Sequence, residues 1–196
     1  MKSVKPTLIF LCILIIFGFI LIYKDDRETN QQSMRICDQE YALCTSVKCI
    51  PDPSHSKQAI CFCEVMKGKS MGTTHCKKLE PKIDANGVQT VYSTFSLEQL
   101  SEGKKVMQCP NGTPWTWCLN KKCVVDPMDP NKAVCICDIM YQEDWVTFGG
   151  NCDQATCQTG YWSGATIDAF HEGANLLIKE FDLDPSIIKE CVGHPQ

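Results

Sequence analysis

Cys61 and Cys63 in "SKQAICFCE" (56–64), and Cys135 and Cys137 in "NKAVCICD" (131–138), are two pairs of thiols one residue apart. Residues of this type and spacing suit three kinds of chemistry. One is thiol–disulfide exchange, which needs an exposed thiol of lowered pKa, commonly at a helix N-terminus or beside a basic group. The second is a soft metal clamp, which favours Cys-x2–4-Cys or Cys/His clusters. The third is covalent cross-bracing. The surroundings favour cross-bracing. Both pairs lie in apolar, β-branched segments that follow an Asp-Pro turn, in "KCIPDPSHSKQAICFC" and "KCVVDPMDPNKAVCIC", which read as strand, turn, strand. On a strand, residues two apart face the same side. Cys61 and Cys63 then project together with Phe62 turned away, and parallel Cβ vectors suit two separate partners better than a bond between them.

The wider cysteine pattern supports that reading. Of the fifteen cysteines, Cys12 lies in an N-terminal apolar run, and the remaining fourteen are even in number, as a disulfide framework in an oxidising compartment requires. From Cys37 the spacing is C-x6-C-x4-C-x11-C-x-C-x12-C, and from Cys109 it is C-x8-C-x4-C-x11-C-x-C-x14-C. Residues 44–63 align with 118–137 without a gap, sharing the four cysteines and Lys48/Lys122, Asp52/Asp126, Pro53/Pro127 and Ala59/Ala133. This reads as an internal duplication.

Other chemistry is poorly supported. Only four histidines are present, and His75 alone adjoins a cysteine. "AFHEG" begins like a zinc-peptidase helix, but Asn175 stands where the second histidine belongs. Ser163 in "GYWSGA" lacks the glycine two residues earlier that a nucleophile elbow has. No catalytic set, cofactor site or metal site is expected. The tryptophans are more suggestive. Trp115, Trp117, Trp145 and Trp162 all fall in the second half, so they either fill a core or form an exposed aromatic patch that binds an envelope protein or a glycan.

The elements that position these residues follow. Residues 1–24 carry Lys2 and Lys5 ahead of an uncharged apolar run over 7–23, closed by Lys24. With no small-residue cleavage site after it, this is expected to be a signal anchor, a cleaved signal peptide being the alternative, with the N-terminus cytoplasmic and the rest exported. Residues 25–36 are polar and expected to form a stalk. Cysteine module one is expected over 37–79, a connector with a strand near Val88–Phe95 over 80–105, and module two over 106–157. A helical tail is expected over 158–196, with an amphipathic helix running from Ile167 to Phe181, capped by Thr166 or Ser163, and a short turn begun by Asp184-Pro185. Beyond the anchor the chain carries 16 basic and 23 acidic residues, a net charge of −7, which argues against a nucleic-acid partner.

The C-x4-C-x11-C-x-C stretch resembles epidermal-growth-factor-like modules, in which the first cysteine bonds the third, the second the fourth and the fifth the sixth. That resemblance implies Cys37–Cys49, Cys44–Cys61, Cys63–Cys76, Cys109–Cys123, Cys118–Cys135 and Cys137–Cys152. It leaves Cys157–Cys191 to staple the tail. "YALCTSVKC", "PWTWCLNKKC", "AVCICD" and "TCQTGYWSGAT" are similar to a group of uncharacterised exported cysteine-rich bacterial proteins, which implies an envelope, periplasmic location and no known activity. The expectation is a small, disulfide-rich, mainly β protein of two tandem hairpin modules with a helical tail. It acts as a non-enzymatic, membrane-anchored scaffold or binding module; the alternative is a thiol–disulfide or metal-handling factor using one Cys-x-Cys.

Overall fold

The computed structural model describes residues 33–96, 98, 103–153 and 155–191. The expected anchor over 1–24, and the stalk as far as residue 32, lie outside these residues. No helix among the described residues is long and apolar enough to cross a membrane. The fold is mainly β, with seven disulfides and short helices. Its strands are β1 (Arg35–Leu43), β2 (Lys48–Pro51), β3 (Gln58–Gly72), β4 (Lys82–Ile83), β5 (Gln89–Tyr92), β6 (Val106–Cys109), β7 (Trp115–Trp117), β8 (Lys122–Val125), β9 (Lys132–Met140), β10 (Trp145–Phe148) and β11 (Tyr161–Thr166). The helices are α1 (Cys76–Leu79), α2 (Ala155–Gln158) and α3 (Ile167–Phe181), followed by a 3₁₀ turn at Pro185–Ile187.

The strands form where apolar and β-branched residues alternate with a period of two. In β9, Ala133, Cys135, Cys137 and Ile139 are buried, while Val134 and Ile136 point the other way. β3 and β9 pair antiparallel from Gln58↔Asp138 to Glu64↔Lys132, with Cys61 opposite Cys135. β1 and β2 lie end to end along the outer edge of β3, and β7 and β8 do the same along β9. The two free edges are then bridged. β11 runs between β2 and β7, and β5 joins β8 to β1 through the Ala42–Ser93 bridge. The sheet therefore closes on itself around a core of small and sulfur-bearing side chains.

Pairings recur at a fixed displacement. Tyr41↔Met66, Ala42↔Val65 and Leu43↔Glu64 have counterparts 74 residues on, at Trp115↔Met140, Thr116↔Ile139 and Trp117↔Asp138. Ile50↔Ile60 likewise corresponds to Val124↔Val134. The Ser163 N–H donates to the Val47 carbonyl and the Ser93 N–H to the Lys121 carbonyl, carbonyls that are again 74 apart. The two cysteine-rich segments do not sit side by side as tandem modules, because the described chain from Met34 is one compact unit with strands from both halves interleaved. β5 leaves the first half to pair β8 of the second, and β11 returns to pair β2 of the first.

Two boundaries differ from the sequence expectation. β1 takes in Arg35 and Ile36, the end of the expected stalk, because both pair with the last residues of β3. The expected helical tail begins with a strand. Tyr161–Thr166 is drawn into the sheet by β2, β7 and β10, and Gly164 allows it: a Cβ there would lie 2.5 Å from the Val146 carbonyl oxygen and 2.8 Å from the Trp145 ring. α3 then follows as its periodicity predicts. The Thr166 hydroxyl accepts from the Ala169 N–H at 3.2 Å, and Ala174, Leu177 and Ile178 are buried. Asp184 accepts from the Ser186 N–H at 2.8 Å and starts the 3₁₀ turn.

Candidate functional site

The Cys-x-Cys pairs line the inside of the closed sheet. Cys61 bonds Cys49 and Cys63 bonds Cys44; Cys135 bonds Cys123 and Cys137 bonds Cys118. These eight cysteines are at most 3% exposed. The four bonds also touch in two pairs: Cys44 Sγ lies 3.3 Å from Cys135 Sγ, and Cys118 Sγ 3.6 Å from Cys61 Sγ. Sulfurs of Cys44, Cys118 and Cys137 come within the spread of a metal site, but each is held in a disulfide. Metal ligation by cysteine requires the thiolate.

This connectivity replaces every pairing implied by the epidermal-growth-factor pattern. The first six cysteines are nested, as Cys37–Cys76, Cys44–Cys63 and Cys49–Cys61, not Cys37–Cys49, Cys44–Cys61 and Cys63–Cys76. The second set is Cys109–Cys157, Cys118–Cys137 and Cys123–Cys135, not Cys109–Cys123, Cys118–Cys135 and Cys137–Cys152. The tail is held by Cys152–Cys191 and not by Cys157–Cys191. The reason is geometric. Once β1–β2 runs antiparallel to β3, later residues of one strand face earlier residues of the other, and cross-strand bonds must nest.

Exposure divides the bonds into two groups. Cys76, Cys152 and Cys191 are partly exposed, whereas the cysteines of the other five bonds are at most 3% exposed. Attack on either sulfur opens a disulfide, so access to one partner suffices. Mild reduction without denaturant is expected to release four alkylatable thiols, Cys37, Cys76, Cys152 and Cys191. Mass mapping after alkylation checks this, and early labelling of Cys61 or Cys135 would contradict it.

The four tryptophans are brought together, but not as an exposed patch. Trp115 and Trp145 are 0% exposed and stack with ring centroids 5.7 Å apart and planes at 8°. Trp117 meets Trp115 edge-on at 6.0 Å, and Trp162 packs at the margin of the same cluster. The rings enclose Met107, Cys109 and Cys157, filling space around the Cys109–Cys157 bond. Trp145 Nε1 donates to Thr113 Oγ1 at 3.1 Å. Of the two readings of the tryptophans, core filling and binding patch, the structure shows the core, because burying two indoles against a disulfide removes more apolar surface from water than exposing them would.

What the tryptophans do not supply, the outer face of β2–β3–β9–β8 does. Ile50 and Phe62 are each 56% exposed, Val124 46% and Ile136 39%. Half-buried Ile60 and Val134 lie between them, since Ile50 faces Ile60, Ile60 faces Ile136, and Phe62 faces Val134. Exposed Glu64 and Lys132 sit opposite each other at one end of this face, and half-buried Gln58 and Asp138 at the other. Lys121 Nζ holds Asp138 Oδ2 at 2.6 Å. The sequence carries a signal for this face, masked by the cysteines that alternate with it. In "AICFC" and "AVCIC" both alternate sets are apolar, whereas an antiparallel strand with one solvated face ordinarily alternates with polar residues. A second apolar feature, between α3 and β10–β11, is lined by Met71, Phe95, Phe148, Phe170 and Leu177. Its cavity of about 40 Å³ is far below the ~300 Å³ at which small-molecule pockets begin.

No family model, curated protein or solved structure matches the chain.

Proposed function

We propose that the chain is a non-enzymatic, membrane-anchored extracytoplasmic protein, a covalently braced frame that presents its outer sheet face to a partner. One observation carries the reading. Four disulfides, in contact as two pairs, fill the interior of the closed sheet, the place where a barrel would otherwise hold a ligand. Recognition then falls to the outside, where six apolar side chains adjoin on four strands. A contiguous exposed apolar surface rimmed by polar residues is the signature of an interaction site.

The recurrence at a displacement of 74 supports an internal duplication, each copy contributing a hairpin, a long strand and one strand exchanged into the other half. The expected anchor over 7–23 would hold the domain at the envelope surface, periplasmic in a bacterium. The alternative thiol–disulfide role needs a Cys-x-Cys within reach of an attacking thiolate, and a metal-handling role needs free thiolates, whereas Cys61, Cys63, Cys135 and Cys137 are bonded to other segments and at most 1% exposed.

The test places a photo-crosslinking phenylalanine analogue in the full-length chain at position 62 or 136, and at Met128 as an exposed control in the β8–β9 turn. Irradiation of intact cells is expected to give discrete adducts from 62 and 136 and none from 128. Equal yields at all three positions, or none at any, would count against a docking face.

A further inference from the structure

The docking face has a symmetry of its own, and the partner that this symmetry fits best is another copy of the chain. Displacement by 74 relates Ile50 to Val124, Ile60 to Val134, Phe62 to Ile136 and Glu64 to Asp138. Cys61, related in the same way to Cys135, lies directly opposite it in the β3–β9 ladder. A pseudo-twofold axis therefore passes through that pair, perpendicular to the sheet, and repeats the apolar pattern on both sides. We infer that two copies of the chain dock face to face through β2–β3–β9–β8, about a twofold axis parallel to the strands. The inference rests on the docking-face reading above and names the partner.

Charge selects the arrangement. Rotation about an axis along the strands lays each β3 over the other copy's β9. Glu64 of one copy then faces Lys132 of the other, twice over by symmetry, and Gln58 faces Asp138. No like charges meet at these four positions. An axis across the strands would instead direct Lys132 at Asp138, which Lys121 already neutralises at 2.6 Å. With seven residues on each of β3 and β9 and four on each of β2 and β8, a strand spacing of about 4.8 Å and a rise of about 3.3 Å per residue give the face roughly 350 Å². The pair would bury about 700 Å², the size of a weak, reversible contact that forms at high local concentration. Sheets stacked in this way interdigitate side chains about 10 Å apart, as Phe62 above Val134 and Ile136 requires.

The experiment uses the full-length chain in detergent, followed by sedimentation at high concentration. Wild type is expected to dimerise. Glu64→Lys alone puts a second positive charge opposite Lys132 of the other copy, and Lys132→Glu alone puts a second negative charge opposite its Glu64. Each change is expected to raise the dimer dissociation constant at least tenfold. Mixing the two variants under distinguishable tags is expected to restore a heterodimer of near-wild-type affinity, because every facing pair is then opposite in charge. Effects within a chain cannot produce that rescue, since each chain keeps its single change. Both residues are exposed, so melting curves should stay close to wild type.

A wild-type chain that stays monomeric overturns the inference, as does a dimer indifferent to either substitution or a mixture no tighter than the single variants. If the chain is monomeric but adducts still form from position 62, the occupant is a different molecule and the docking face stands. If position 62 gives no adduct and no dimer forms, both readings fail.

Discussion

Trp145→Ala is expected to destabilise the oxidised domain by about 3–5 kcal/mol, the usual cost of removing a fully buried large aromatic. Trp145 is 0% exposed, stacks on Trp115 and donates to Thr113. The backbone at Gly164 packs directly on the ring, so little can move into the space that alanine would leave. The loss should appear as a lower midpoint in denaturant unfolding with the disulfides intact, with a slope close to wild type. Phe62→Ala provides the contrast. At 56% exposure it should stay within about 0.5 kcal/mol, while weakening whatever docks on the face. The reverse pattern, with Trp145→Ala as stable as wild type but unable to dock, would restore the aromatic patch as the binding surface and remove the case for β2–β3–β9–β8.

The contrast between Trp145 and Phe62 also marks how far the sequence can be read. Strand periodicity placed Cys61 and Cys63 on one side and Phe62 on the other, and the 74-residue displacement aligned the two hairpins. What local pattern could not supply was the pairing of distant strands. Cys37–Cys76 and Cys44–Cys63 follow only once β1 is known to lie antiparallel along β3. Cysteine spacing alone permits many connectivities. The strand at Tyr161–Thr166 was missed for a related reason. It is held by β2 from more than a hundred positions earlier, through Tyr161↔Cys49, and by β7 alongside, while its neighbours in sequence carry the helix signal of α3. The tryptophans were legible as a group, with core and patch both open; what decides for core is long-range, the Cys109–Cys157 bond that brings β6 to α2. Thr166 and Asp184, whose work is local, stand where their caps predict.

Complete reduction and alkylation of the seven bonds is expected to unfold the described domain. Closing loops of 12 to 48 residues contributes about 3–4 kcal/mol per bond in the chain-entropy view. Seven such terms exceed the ~5–15 kcal/mol net stability of an ordinary domain. Much of the interior is sulfur rather than large aliphatic side chains, so little burial is left to compensate. Loss of the β signal in circular dichroism on full reduction would show this, and a reduced chain that keeps its signal and its cooperative melt would overturn the covalent-frame reading. A sharper form of the prediction compares the halves. Cys49→Ala/Cys61→Ala and Cys123→Ala/Cys135→Ala each remove a buried bond of separation 12 from corresponding positions in the sheet. Each is expected to cost about 3 kcal/mol of loop-closure stabilisation, and the two losses should agree closely. A large inequality would mean that one half carries the fold and the other is attached to it, which a frame shared through β3 and β9 does not allow.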